Sequence, residues 1–109
     1  MDYKKDTWFS EEFFNGSVAS SFKIKKKLHE EQSKYQKIEV LETDALGRLL
    51  LLDGKTMVSE REEFVYHELM AHIPWMTGRN LKKVLIIGGG DGGIVREYVK
   101  HKSLEEIVS

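Results

Sequence analysis

The sequence predicts an α/β chain in two parts. Residues 1–60 read as a small antiparallel β domain, and residues 61–109 as the beginning of a nucleotide-binding domain built on a parallel sheet. Three observations carry this. Short strand-like runs alternate with turn residues from Thr7 to about Glu60, with a hairpin signal at Asp53-Gly54. Ser59-Glu60-Arg61-Glu62 has the S-x-x-E spacing that opens a helix. Val84-Leu85-Ile86-Ile87 then runs without polar interruption into Gly88-Gly89-Gly90-Asp91-Gly92-Gly93, and a helix-like segment follows from Ile94 to Lys100.

Composition bounds the function classes. The chain has 109 residues, enough for one small domain or a portion of something larger. With 17 basic and 18 acidic residues the net charge is −1, so no global field points to nucleic acid. The absence of cysteine excludes disulfides and thiolate metal sites. Met1–Asp6 is charged, and no apolar run approaches membrane-spanning length. A cytoplasmic protein with neither a leader nor a membrane anchor is expected.

Taken in order, Thr7-Trp8-Phe9 and Phe13-Phe14 are strand-like, separated by Ser10-Glu11-Glu12, with Asn15-Gly16 as a turn. Phe22-Lys23-Ile24-Lys25 alternates as a half-buried strand does. The run Lys25-Lys26-Lys27 is short and followed by Glu30 and Glu31, which fits a solvated strand end. Ser33 to Thr43 forms the next strand, with Gln36, Ile38 and Val40 on one face and Tyr35, Lys37, Glu39 and Leu41 on the other. By position Gln36 is an edge residue facing water; a side-chain amide there also suits a ligand. Arg48–Leu52 and Lys55–Val58 flank Asp53-Gly54, the signature of a type I′ hairpin turn.

The helix after Ser59 is expected to run through His72 and end near Pro74. Val65, Leu69, Ile73, Tyr66 and Met70 make its apolar stripe, and His67 falls just outside it, one turn after Glu63. His67 and His72 are five apart and share no face, so a zinc helix is set aside and no metal is expected. The strand at Val84 suits burial on both faces. Gly88, Gly90 and Gly93 keep the G-x-G-x-x-G spacing, where missing Cβ atoms let a ligand approach the backbone. Asp91 changes the chemistry of that loop. A carboxylate repels a pyrophosphate, so a nucleoside with a cationic tail fits better than NAD. Asp91 also suits a helix cap, and the two roles are compatible.

Val84 to Glu97, reading VLIIGGGDGGIVRE, resembles the glycine-rich signature of the polyamine aminopropyltransferases, the spermidine synthases in particular. Leu49 to Pro74, LLLLDGKTMVSEREEFVYHELMAHIP, is similar to the segment that precedes it, and Ser33 to Val40, SKYQKIEV, is a third shared block. The resemblance implies a small β domain followed by a Rossmann-like domain of the AdoMet-methyltransferase type. It implies transfer of an aminopropyl group from decarboxylated S-adenosylmethionine to putrescine, giving spermidine and 5′-methylthioadenosine in polyamine biosynthesis. The donor is then a co-substrate and no cofactor is implied. It also implies roles: Gln36, Leu51, Gly88 and Gly90 toward the donor or its thioadenosine product, and Tyr66, His67 and Asp91 toward the polyamine. A homodimer or homotetramer is implied.

In that reaction a sulfonium leaves readily, and the obstacle is an amine with a pKa of about 10 that is protonated at neutral pH. The resemblance places the family's catalytic aspartate, and an acid holding the ribose, beyond Ser109. The chain is therefore expected to be the N-terminal portion of such an enzyme, inactive alone. Three other readings stand at this point: an amine N-methyltransferase using intact AdoMet; an aminopropyltransferase for agmatine, cadaverine or spermidine; and a non-catalytic β-rich association module.

Overall fold

The structure, a computed structural model, describes residues 7–109. Residues 1–6, on which the expectation of no leader rests, lie outside the described residues. The chain divides into two compact units, one ending at Glu62 and the other running from Glu63 to Ser109.

In the first unit β1 (Trp8–Phe13), β2 (Val18–Gln32), β3 (Lys37–Thr43), β4 (Gly47–Leu52) and β5 (Lys55–Ser59) form one sheet in sequence order. Every neighbouring pair is antiparallel, as short connections require. The sheet curls on itself: Glu11 of β1 accepts the backbone N–H of Thr56 on β5 at 3.0 Å. Phe9, Ile24, Leu41, Leu49 and Leu51 fill the inside of the curl. The Asp53-Gly54 turn has φ of 49° and 72°, the left-handed pair that a type I′ turn demands.

Several expectations are corrected here. Ser10-Glu11-Glu12 does not separate two strands. It continues β1, because Ser10 pairs with Ser21 and their hydroxyls bond at 2.6 Å. The turn begins at Phe14, which with Asn15 takes a left-handed φ. β2 is one strand of 15 residues, bent by irregularities between Ile24 and Lys26 and between Lys27 and His29. The Lys25–Lys27 run sits at those bends and not at a strand end. Lys25 pairs with Asp44 at 3.1 Å, and Lys27 with Glu30 at 2.7 Å and Glu39 at 2.8 Å. β3 starts only at Lys37, and its buried face carries Glu39, Leu41 and Thr43 while Ile38 and Val40 are half-buried. The buried Glu39 carboxylate is tolerated because Lys27 and Lys37 neutralise it.

The second unit contains α1 (Glu63–Thr77), β6 (Lys83–Leu85), α2 (Gly93–Tyr98) and β7 (Glu106–Val108). β6 and β7 pair in parallel, with Val84 opposite Ile107, which is the expected beginning of a parallel sheet. Ala71, Ile86, Ile94 and Tyr98 form the core, with Trp75 packed against it.

Ser59 ends β5, and its Oγ accepts the Glu62 N–H at 3.3 Å across a turn; the helix itself starts at Glu63. α1 also passes through Pro74 instead of stopping there. Proline has no N–H to offer the Met70 carbonyl, and the Tyr98 hydroxyl donates to that carbonyl at 3.5 Å. The expected apolar stripe is on the wrong side: Val65, Leu69, Met70 and Ile73 are exposed, and α1 buries His67 and Ala71. The Val84 run is covered on one face only, with Ile86 buried and Ile87 89% exposed. Among the described residues no helix is long and apolar enough to cross a membrane.

Candidate functional site

The second unit holds a cavity of about 340 Å³ where α1 meets the end of β6 and the glycine loop. Tyr66, His67, Met70, Gly88, Gly89 and Asp91 are among its lining residues. A second hollow of about 470 Å³, bordered by Val95, Val99, Leu104 and Ile107, contains no residue of the glycine loop.

The loop keeps its shape through glycine at two kinds of position. Gly88 and Gly92 have φ of 81° and 74°, where a side chain is strained. Gly93 is fixed by crowding: a Cβ there would lie 2.2 Å from His67 Cε1 and Nδ1. In front of Gly88 and Gly90 no protein atom stands within 4 Å of a built Cβ. That open approach is what the spacing predicts for a ligand-facing loop.

Asp91 lies one residue before the α2 cap, which is Gly92. One carboxylate oxygen accepts the Gly93 N–H at 2.9 Å, so the capping role is present in this form. The other oxygen faces His67 Nε2 at 2.9 Å. Both roles thus coexist in one side chain. Asp91 remains 42% exposed, which leaves a partly solvated anionic surface at the cavity.

His67 is only 3% exposed and is the hub of this unit, not a boundary residue. Its Nδ1 contacts the Glu63 carboxylate one turn earlier on α1. Arg96 of α2 donates to the same Glu63 oxygen at 2.8 Å. The Arg96 guanidinium first, and the His67 ring second, hold the Glu63 carboxyl down at about 2. Tyr66 meets the His67 ring edge-on with centroids 5.5 Å apart, its own ring largely exposed. The result is a chain of alternating groups, Arg96, Glu63, His67 and Asp91, that ends in a carboxylate at the glycine loop. Such an arrangement attracts cations and disfavours a pyrophosphate.

Tyr66, His67, Gly88 and Asp91 therefore gather at one cavity, whereas Gly90 is in the same loop but outside the lining. Gln36 and Leu51 belong to the sheet unit. Gln36 lies in the connection between β2 and β3 and not in a strand; its backbone N–H and carbonyl both bond the Ser33 hydroxyl. Leu51 is 0% exposed and packs the sheet core, so its side chain offers no floor to a ligand in this structure. Glu63 and Arg96 were not expected at the site. The Glu63–His67 spacing of four was the available signal, since such pairs meet on one helix face; nothing local marked Arg96.

Comparison with known proteins adds independent findings. Residues 7–60 match the model described as a spermidine synthase tetramerisation domain, and residues 63–109 the model of a spermine/spermidine synthase domain. The chain is 49% identical over 106 residues to a polyamine aminopropyltransferase of Methanocaldococcus jannaschii, covering 97% of this chain and 36% of that protein. It is 44% identical over 101 residues to a polyamine aminopropyltransferase of Bacillus subtilis, covering 93% of this chain and 36% of that protein. A crystal structure of spermidine synthase from Thermotoga maritima superposes with a TM-score of 0.85 at 42% identity, over 95% of this chain and 36% of that one. A spermidine synthase in complex with the transition-state analogue AdoDATO gives the same values. The chain thus spans little more than a third of the length of the relatives it matches.

Proposed function

This chain belongs to the spermine/spermidine synthase family, and from that premise we propose that the protein carrying it moves the aminopropyl group of decarboxylated AdoMet to putrescine. The products are spermidine and 5′-methylthioadenosine. The observation that carries this reading is Asp91, a half-exposed carboxylate set inside the glycine loop and held by Gly93 and His67.

In this reading the open approach at Gly88 and Gly90 takes the nucleoside end of the donor, where backbone atoms come close. Gln36 adds a side-chain amide toward the same nucleoside, and Leu51 acts only by packing the sheet beneath it. Asp91 holds an ammonium of the polyamine, with His67 and Tyr66 beside it. Fixing the amine in line with the carbon next to sulfur converts a bimolecular step into a positioned one. The sulfonium departs as a neutral thioether, so the bond to sulfur breaks without acid catalysis. The attacking amine must first lose its proton. No residue of this chain is assigned that task.

Residues 1–60 serve as the association domain of a homodimer or homotetramer, and residues 61–109 open the nucleoside-binding domain. The tetramerisation-domain match supports the first assignment. We place the enzyme in the cytoplasm, in keeping with its small charged substrates.

Calorimetric titration tests the proposal. Decarboxylated AdoMet, methylthioadenosine and putrescine are expected to bind, and NAD is not. The D91N variant is expected to weaken amine binding roughly tenfold to a hundredfold, the factor carried by one charge-assisted hydrogen bond. Tight NAD binding with no response to the sulfonium nucleoside contradicts the proposal.

A further inference from the structure

The inference concerns Glu63, and it rests on the reading of His67 and Asp91 as the amine subsite. His67 lies between two carboxylates: Glu63 at Nδ1 and Asp91 at Nε2. An ionised carboxylate only accepts hydrogen bonds, and a neutral imidazole has a single N–H. Which nitrogen carries that proton is therefore decided by which carboxylate is the firmer anion. Glu63 has the stronger claim. It is three-quarters buried, and it receives the Arg96 guanidinium at 2.8 Å in addition to the imidazole. Asp91 divides its two oxygens between Gly93 N–H and His67 and is more exposed.

The ring has little freedom to answer in any other way. It is 3% exposed, and Gly93 passes so close to Cε1 and Nδ1 that even a methyl group on the loop would collide with it. Its charged surroundings are Glu63 on α1, Arg96 on α2 through Glu63, and Asp91 on the loop, with the Tyr66 ring edge-on.

We propose that Glu63 is a positioning residue: clamped by Arg96, its carboxylate takes the Nδ1 proton of His67, locks the ring, and so directs Nε2 and the Asp91 carboxylate toward the polyamine ammonium. Glu63 touches no substrate and acts through His67. The specificity consequence is that amine binding depends on Glu63 while nucleoside binding does not, because the open faces of Gly88 and Gly90 lie outside this relay.

Two readouts separate positioning from mere packing. The first is the ¹⁵N signature of the His67 ring in the labelled full chain, which distinguishes a protonated from an unprotonated nitrogen. In the parent protein Nδ1 is expected to be protonated. In E63Q, the glutamine amide donates to Nδ1, Asp91 alone draws the ring proton to Nε2, and the Nδ1 signal moves to the unprotonated range. The second readout is ligand affinity by calorimetry. E63Q is expected to weaken putrescine binding about tenfold or more, with methylthioadenosine binding unchanged. R96M leaves Glu63 in place without its cation, and it is expected to shift both readouts in the same direction by less.

An unprotonated Nδ1 in the parent protein overturns the proposal. So does an E63Q variant whose ring signals and amine affinity both match the parent. If E63Q does not fold, the parent spectrum and R96M decide by the same criteria. If the parent shows the expected ring signals and E63Q moves them, yet putrescine binds to neither, the amine-subsite reading fails while the hold of Glu63 on His67 stands.

Discussion

Gly93 and Gly90 stand three residues apart in one loop and differ in what a methyl group would meet. At Gly93 it would strike the His67 ring, which cannot retreat because both its nitrogens are engaged. G93A is therefore expected to cost about 1–3 kcal/mol by overpacking and to break the His67–Asp91 contact. At Gly90 the backbone is ordinary and the space is open, so G90A is expected to fold with parental stability. If the nucleoside lies against that backbone, G90A nonetheless loses affinity for methylthioadenosine. Chemical denaturation and calorimetry on the two variants check both halves; a destabilised G90A, or a parental G93A, contradicts this assignment. At this scale the sequence was informative about Asp91, because a carboxylate in a glycine loop has few explanations. It was misleading about His67. An apolar stripe beside a histidine made the histidine look peripheral, whereas the i, i+4 pairing with Glu63 and the glycine at position 93 were the truer signals.

Among the elements, α1 departs furthest from its pattern. Its apolar residues Val65, Leu69 and Ile73 are exposed, while its packed face consists of Glu63, His67, Ala71 and Trp75. Hydrophobic periodicity says which residues share a face, but not which face meets the loop when a polar network competes for the inside. Pro74 was read as a stop for the same local reason, and a tertiary contact overrides it. The free Met70 carbonyl is met by the Tyr98 hydroxyl across the core. Y98F is expected to cost up to about 1 kcal/mol in the parent protein, and less in a P74A background where the restored N–H satisfies the same carbonyl. A double-mutant cycle by urea denaturation measures this. Equal losses in both backgrounds contradict the account of how the helix crosses its proline. In the sheet, by contrast, Asp53-Gly54 was legible because its turn type needs two left-handed residues. The length of β2 was hidden, since residues Lys25 to Gln32 are mostly polar and gain their strand form from pairing with β3.

For the whole molecule, charge pairs reach into both units, and they make stability depend on pH in a definite direction. Lys27 first and then Lys37 hold the Glu30 carboxyl in the sheet unit at about 2, and Arg96 and His67 do the same for Glu63 in the second unit. Unfolded, each has an ordinary value of about 4.5. A carboxyl depressed by folding stabilises the fold above its unfolded value and loses that contribution as it is protonated. Stability is therefore expected to be level just above pH 4.5 and to fall between pH 4.5 and 2, with a shallower fall in E63Q. Urea midpoints across that range check it, and a parent curve that stays level to pH 2 contradicts it. The two-part α/β organisation was legible from the turn residues and the glycine loop together. What remained hidden were the contacts that join elements far apart in sequence, such as Glu11 to Thr56 and Glu63 to Arg96. The central claim is that the glycine loop and its carboxylate serve aminopropyl transfer. The most direct measurement follows methylthioadenosine released from decarboxylated AdoMet by the protein carrying this chain at the full length of its relatives. Release that requires putrescine and yields spermidine in equal amount is the predicted result. Methyl transfer from intact AdoMet in place of that release would contradict the account.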